Sequence, residues 1–586
     1  MEKEVLLVFK THLDVGFTDY SKKIVDNYLT VFIPNAIQVG YELKDTKTPF
    51  IWTTGSWLIW EALKRDDGTV AKAIEDGIIA WHGLPFTTHT ELMNRELFEY
   101  GVSLSEQLDE RFGRKTIAAK MTDVPGHTLG MIPVLQKHQI EFLHIGVNGA
   151  TPVPPVPPVF RWKCGDAEIT VMYQGDYGTT MEFDDFIICF GHTGDNCGPQ
   201  SGDAIVQLYE ELQQKYPGSQ IKPATLNDIA VRVRGMKDLP VMNQEIGDTW
   251  IHGAGTDPKK VARYREMLRW IEKNGMQGAD LSDSLLMVPE HTWGMCVKRF
   301  YTDVEHYDLA SFQATEQDAD RTTIEASWRE QRNYLDKAEQ ALGIRTDYTL
   351  TEPDLDGFHE IDAFLLPVAL SWQLFDRSDY ERYREKYLRL PDEPWAIWDF
   401  TKVGLPAYEG GIYQARVTKV FSREEEQLVR LDFPQEVTQK YGLPHFWIAI
   451  QGEAITVNWF GKAALRLPNA FWLKFLDCEE DWELHKMGEW ISPQKIIGSP
   501  LISAVEKGVR NRNTEIVSHD ACLVAPFGRR LLDYDLHPQK QDLYFNLYNN
   551  IWNTNFPMWY SDDTRFRFVK RRMKTEGGYA EGEKTL

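Results

Sequence analysis

Val5-Leu6-Leu7-Val8-Phe9-Lys10-Thr11-His12-Leu13-Asp14 decides the fold. The apolar run Val5–Phe9 reads as a β-strand, and a strand alternates its side chains. His12 and Asp14, two apart, therefore point the same way at its end. An imidazole beside a carboxylate is half of a metal site. By itself the tripeptide is a common arrangement, so the rest of the chain has to supply its partners.

Working outward, the same rhythm repeats. Phe50–Trp52, Gly77–Ala80, Thr116–Lys120 and Phe142–Ile145 read as further strands. Between them lie amphipathic helical stretches at Tyr20–Leu43, Trp57–Glu75, Glu96–Phe112 and Leu129–Gln139. Alternating strands and helices predict a parallel α/β domain over residues 1–280. The proline-rich run 151–158 reads as a surface excursion. Phe160–Lys163 and Glu168–Tyr173 read as a hairpin turning at Gly165-Asp166. Ala310–Leu342 lacks Gly and Pro and ends at Gly343, which predicts one long helix of a helical segment spanning 281–400. Arg377–Leu388 is a second helical stretch. From 401 to 573, strand-like runs at Ile412–Val420, Leu428–Phe433, Phe446–Ile450, Ala454–Trp459, Phe471–Phe475 and Leu543–Leu547 predict an antiparallel β-sandwich. Residues 574–586 read as a disordered tail.

Composition narrows the function. A chain of 586 residues exceeds one core. Its net charge of −23 disfavours nucleic acid and anionic membranes as partners. The 19 Trp fit heavy cores, with a few available for stacking on sugar rings. The six Cys are scattered with no Cys-x-x-Cys pair, so free thiols are expected. The N-terminus is too acidic for a signal peptide, and no apolar run spans a membrane, which predicts a cytoplasmic protein. A homo-oligomer stays open.

Four more clusters carry chemistry. Asp123-Val124-Pro125-Gly126-His127 follows the strand Thr116–Lys120, at a carboxyl end where α/β domains gather functional groups. Asp123 there is either a turn residue starting a helix or a metal-bound carboxylate. Thr87-Thr88-His89-Thr90-Glu91 again spaces a His and a carboxylate by two. Gly191–Pro199 is a polar loop presenting Asp195, without the spacing of a P-loop. Glu290-His291-Thr292-Trp293-Gly294 offers a histidine to any metal lacking a fourth ligand.

Together these elements resemble the catalytic domain of glycoside hydrolase family 38, the α-mannosidases. The resemblance rests on His12-Leu13-Asp14, Asp123-Val124-Pro125-Gly126-His127-Thr128, Gly194-Asp195-Asn196-Cys197-Gly198-Pro199, Ala224–Asp228, Gly247-Asp248-Thr249-Trp250 and His291, in the family's order. Phe160–Lys163, Glu168–Tyr177 and Asn549–Phe556 look like segments of bacterial relatives. The acid loop has fewer glycines than the family's, the His291 segment reads His-Thr-Trp-Gly, and the C-terminal part is short, as in a divergent branch.

The resemblance implies a seven-stranded barrel-like catalytic domain and a retaining glycosidase working through a covalent glycosyl-aspartate. It implies one divalent metal held by His12, Asp14, Asp123 and His291. Zinc comes first, with Mn²⁺, Co²⁺ or Ca²⁺ as alternatives. Asp123 would be the nucleophile and Asp195 the acid/base, with Asp248 next in line. His89, Glu91, Asp248, Trp250 and Trp293 would contact the carbohydrate substrate. Two other readings compete. A metal-dependent carbohydrate deacetylase would need two His three or four residues apart, a spacing this chain lacks. A non-catalytic carbohydrate-binding relative would keep the fold without turnover.

Overall fold

The computed structural model describes residues 3–276 and 278–573, so the tail read at 574–586 lies outside the described residues. The opening run forms β1 (Glu4–His12), buried along nearly its whole length. It is followed in order by β2 (Trp52–Gly55), β3 (Ile79–His82), β4 (Ala118–Asp123), β5 (Phe142–Val147), β6 (Val159–Cys164), β7 (Ala167–Gln174), β8 (Met181–Glu182), β9 (Phe186–Asp195) and β10 (Gln220–Pro223).

The barrel expected of this domain resolves into two separately bonded sheets. One runs β3-β2-β1-β9-β8 and the other contains β6-β7-β5-β4. Within them β9, β1, β2 and β3 are mutually parallel, as are β4, β5 and β7. The two sheets meet where the Gly83 N–H donates to the Ala118 carbonyl at 2.8 Å, just beyond β3 and at the start of β4. One edge of β1 is filled by β9 along its length. The other is shared by β10 at Glu4–Leu7 and β2 at Phe9–Lys10. The β6–β7 hairpin is present, and the proline-rich 151–158 run forms no strand or helix.

The stretch 281–400 differs from a purely helical segment. The long helix starts at Ala319, after a separate short helix Leu309–Gln313. Asp318 causes the break, because its side chain accepts the Asp320 and Arg321 N–H groups and caps a new helix there. Within the same stretch Val368–Leu374 is a strand, paired on both sides with Gly411–Gln414 and Asn469–Phe475. Its alternation, with Val368, Leu370, Trp372 and Leu374 buried, is a period-two pattern that fits a sheet. The antiparallel region therefore recruits residues before 401.

That region consists of a ten-stranded and a six-stranded sheet. Their aromatic faces interlock. Trp459 meets Phe471 at 5.4 Å between ring centroids, and Phe545 meets Phe568 at 5.1 Å. Eight Trp are among the largest fully buried side chains, so most of the Trp excess is core. All six Cys are free. No helix among the described residues is long and apolar enough to cross a membrane.

Candidate metal and carbohydrate site

Three strand ends and one loop build the site. His12 closes β1 and Asp14 follows two residues later, both buried. Asp123 is the last residue of β4. His291 comes from the loop after Val288, held against the Thr87–His89 segment. There the His291 N–H donates to the Thr87 carbonyl and the His89 N–H to the Pro289 carbonyl. One ligand atom from each of His12, Asp14, Asp123 and His291 lies within 4.8 Å of every other.

The acid loop reaches this cluster through a bulge. β9 pairs with β1 residue for residue up to Thr193 opposite Thr11, then Asp195 falls opposite His12. Gly194 is the extra residue, and such a bulge re-aims the side chain beyond it. Asp123 sits at φ 81°, a conformation a residue with a Cβ rarely takes outside functional sites. Its Oδ1 accepts from the Tyr177 hydroxyl at 2.5 Å and from Asn148 Nδ2 at 3.1 Å. Gly126, two residues past Val124, lets the Asp123 turn lie flat on the neighbouring chain. A Cβ there would stand 1.9 Å from the Gly247 carbonyl oxygen. From the helical segment, Gln331 donates to the Val15 carbonyl at 3.2 Å and so braces the loop after Asp14.

The donor set fits a divalent cation. His12 Nε2, His291 Nε2 and Asp14 Oδ2 are buried without a hydrogen-bond partner. Orphaned polar atoms packed this closely cost several kcal/mol unless something joins them, roughly 1–3 kcal/mol each. His12 Nε2 and His291 Nε2 stand 3.0 and 2.9 Å from Asp14 Oδ1. Behind His291, Glu290 Oε1 lies 2.7 Å from Nδ1, off the line of a hydrogen bond but close enough for charge pairing. Glu290 thus faces the nitrogen on the far side from Nε2, the atom turned toward Asp14 and Asp123. Burial alone would push the His291 imidazole down; the facing Glu290, Asp123 and Asp14 carboxylates outweigh it and hold it well above its usual range. Burial would raise Asp14, but the His12 and His291 rings hold it far below the usual carboxylate range. Burial and the nearby Asp14 charge push Asp195 up to about 7, the range of a carboxyl that can give and take a proton near neutrality.

Asp14, Asp123, His291 and Asp195 share one cavity, closed on other sides by Trp250, Tyr177 and Asn148. Its volume is about 60 Å³, room for about two waters. Of the five residues expected to contact substrate, Trp250 lines the cavity. His89, Glu91, Asp248 and Trp293 do not, and each is committed to the interior. His89 Nδ1 pairs with Asp248 Oδ2 at 2.8 Å. Glu91 Oε2 lies 2.7 Å from Lys486 Nζ, which also pairs with Glu245. Trp293 packs on Phe556 and under the Lys260 ammonium, 3.8 Å from the ring centroid. The cavity also contains Lys298, Asp399, Trp395 and Asn148, none of which stands in a recognisable motif, and Tyr177, which closes the segment Glu168–Tyr177.

A family model described as a domain of unknown function (DUF5054) matches residues 254–352, a stretch that includes His291 and the long helix from Ala319. No curated protein matches the sequence. Among solved structures, the chain is similar to an alpha-mannosidase from Enterococcus faecalis V583. The TM-score is 0.58 at 10% identity, covering 97% of this chain and 87% of that one. It is also similar to a protein in the Glycosyl Hydrolase Family 38 from Enterococcus faecalis, with TM-score 0.57 at 8% identity, covering 98% and 86%. At such identities the likeness is one of fold.

Proposed function

We propose that the chain is a metal-dependent retaining glycoside hydrolase acting on α-linked, mannoside-like sugars. The observation that carries this reading is the clustering of His12, Asp14, Asp123 and His291, the last three of which line a cavity that also receives Asp195. The fold shared with α-mannosidases supports it. Two imidazole nitrogens and two carboxylates suit zinc, with Mn²⁺, Co²⁺ or Ca²⁺ as the next choices. A bound divalent cation would supply a Lewis-acidic centre for sugar hydroxyls.

The chain's own groups divide the remaining work. Asp123, oriented by Tyr177 and Asn148, would use a carboxylate oxygen to attack the anomeric carbon as the bond to the leaving oxygen breaks. Asp195 would give its proton to that leaving oxygen. In the second step Asp195 would take a proton from water as the water oxygen displaces Asp123, restoring both carboxyl groups. Trp250 would present an apolar face to the ring.

The test is a panel of aryl glycosides assayed with and without chelator, followed by a fluorinated glycosyl donor and peptide mass mapping. The expected result is chelator-sensitive hydrolysis of an α-glycoside and a glycosyl adduct on Asp123. Sugar and metal binding with no turnover of any glycoside would instead make the chain a carbohydrate-binding relative.

A further inference from the structure

Two charged residues in the cavity wall have no part in the scheme above. Lys298 comes from the short helix Val297–Phe300, and Asp399 from the end of the helix Pro394–Phe400. Lys298 Nζ donates to Asp399 Oδ2 at 2.6 Å. The Asp399 side chain is 8% exposed and that of Lys298 30%. Asp399 Oδ1 is buried with no protein partner. A carboxylate this enclosed normally has its oxygens satisfied, and an ammonium can donate three hydrogen bonds. The pair, both members of which line the cavity, therefore keeps an unpaired acceptor beside spare donors.

We propose that Lys298 and Asp399 form a clamp for two hydroxyls on neighbouring carbons of the sugar ring, and so select neutral glycosides in which both are free. The assignment rests on the glycosidase reading for its substrate, though not for its geometry. One hydroxyl would donate to Asp399 Oδ1 while its neighbour accepts from Lys298 Nζ, a match that a single charge could not make. Trp395 and Phe400, on the helix that carries Asp399, line the same cavity and give the apolar faces that pyranose rings pack against. Lys298 Nζ stands 5.7 Å from the Trp395 ring centroid and 5.9 Å from that of Phe17, so the ammonium is held between two rings. The charges also disfavour an alternative. Lys298 is already paired with Asp399, and Asp14, Asp123 and Asp195 share the cavity, so a uronate or phosphorylated sugar finds no unpaired lysine or arginine among its lining residues.

The test pairs enzyme variants with substrate analogues. The parent chain, Asp399→Asn and Lys298→Met are compared on the aryl glycoside that the panel identifies and on its monodeoxy analogues. Calorimetric binding of the free sugar and its deoxy forms is measured in parallel. With the clamp in place, deleting either of two neighbouring hydroxyls lowers kcat/KM or affinity about 10–100-fold in the parent, the size of a charge-assisted hydrogen bond. Each variant shows a similar loss on the intact sugar and little further loss on the analogue lacking the hydroxyl that its own side chain would hold. Losses that multiply for every analogue would overturn the clamp, as would tighter binding of an acidic sugar than of the neutral one. Lys298→Arg, which keeps the charge and the pairing, controls for misfolding and should retain the discrimination between intact and deoxy sugars. Because binding is read apart from turnover, absence of hydrolysis with discriminating binding would remove the glycosidase reading and leave the clamp.

Discussion

The Asn196 carboxamide holds Asp14 by its backbone: Oδ1 accepts the Asp14 N–H at 3.0 Å and Nδ2 donates to the Asp14 carbonyl at 3.1 Å. The same Nδ2 reaches the Gly16 carbonyl and the Thr18 hydroxyl. Asn196 takes φ 52°, a left-handed conformation that asparagine tolerates better than most residues. One side chain thus ties the loop carrying Asp195 to the strand end carrying two candidate ligands. Asn196→Ala should weaken metal binding by roughly 10–100-fold, the usual cost of losing an outer partner of a site. Competition against a chromophoric chelator measures this, and an unchanged affinity would mean that Asp14 is positioned without the loop.

Asp195 is assigned the proton in the first step, so its loss should depend on the leaving group. Asp195→Ala should lose about 10²–10⁴-fold on unactivated glycosides and far less on nitrophenyl glycosides, whose leaving oxygen needs no proton. In the parent, kcat/KM should fall as pH rises past about 7, where burial and the Asp14 charge place this carboxyl. That alkaline limb should vanish in the variant. Equal losses across leaving groups would move the acid role to another residue.

The legible parts of this molecule were those set by local chemistry. Alternation carried past the end of β1 puts His12 and Asp14 on one side, and the end of β4 delivers Asp123 to the same place. His291 was legible only through the need for a fourth ligand. Lys298, Asp399 and Asn148 reach the cavity through tertiary packing of segments with no local signature. His89 and Glu91 carry the spacing of a site, but neither lines the cavity, and Lys486, from the antiparallel sheet, pairs with the Glu91 carboxylate. The strand Val368–Leu374 had a usable signal, since its large apolar residues Val368, Leu370, Trp372 and Leu374 fall at every second position.

Lys486 is completely buried between Glu91 and Glu245, joining the α/β region to the antiparallel strand Glu483–Lys486. Removing one member of a buried ionic group leaves uncompensated charge, at a cost of about 3–5 kcal/mol. Lys486→Met should lower unfolding stability by that order in urea titrations. Adding Glu91→Gln and Glu245→Gln to the same chain should recover much of the loss, because the charges left stranded are then gone. A triple variant no more stable than Lys486→Met would place the effect in packing around the lysine stem.

Glu91 also gives stability a pH signature. Burial pushes its carboxyl up to about 7, with Lys486 pulling against this and the charges of Glu245 and Asp248 adding to it. An unfolded chain holds this proton less tightly, with a pKa of about 4.3. Between those values the folded state binds the extra proton, so the contribution is full at acid pH and is lost as pH rises through about 7. Glu91→Gln cannot titrate, while the buried histidines titrate in both proteins and cancel in the comparison. The stability of the parent relative to Glu91→Gln should therefore fall from pH 5 to pH 8 when unfolding free energies are measured across that range. A difference that stays constant would mean that Glu91 is ionised throughout and that Lys486 alone sets its state.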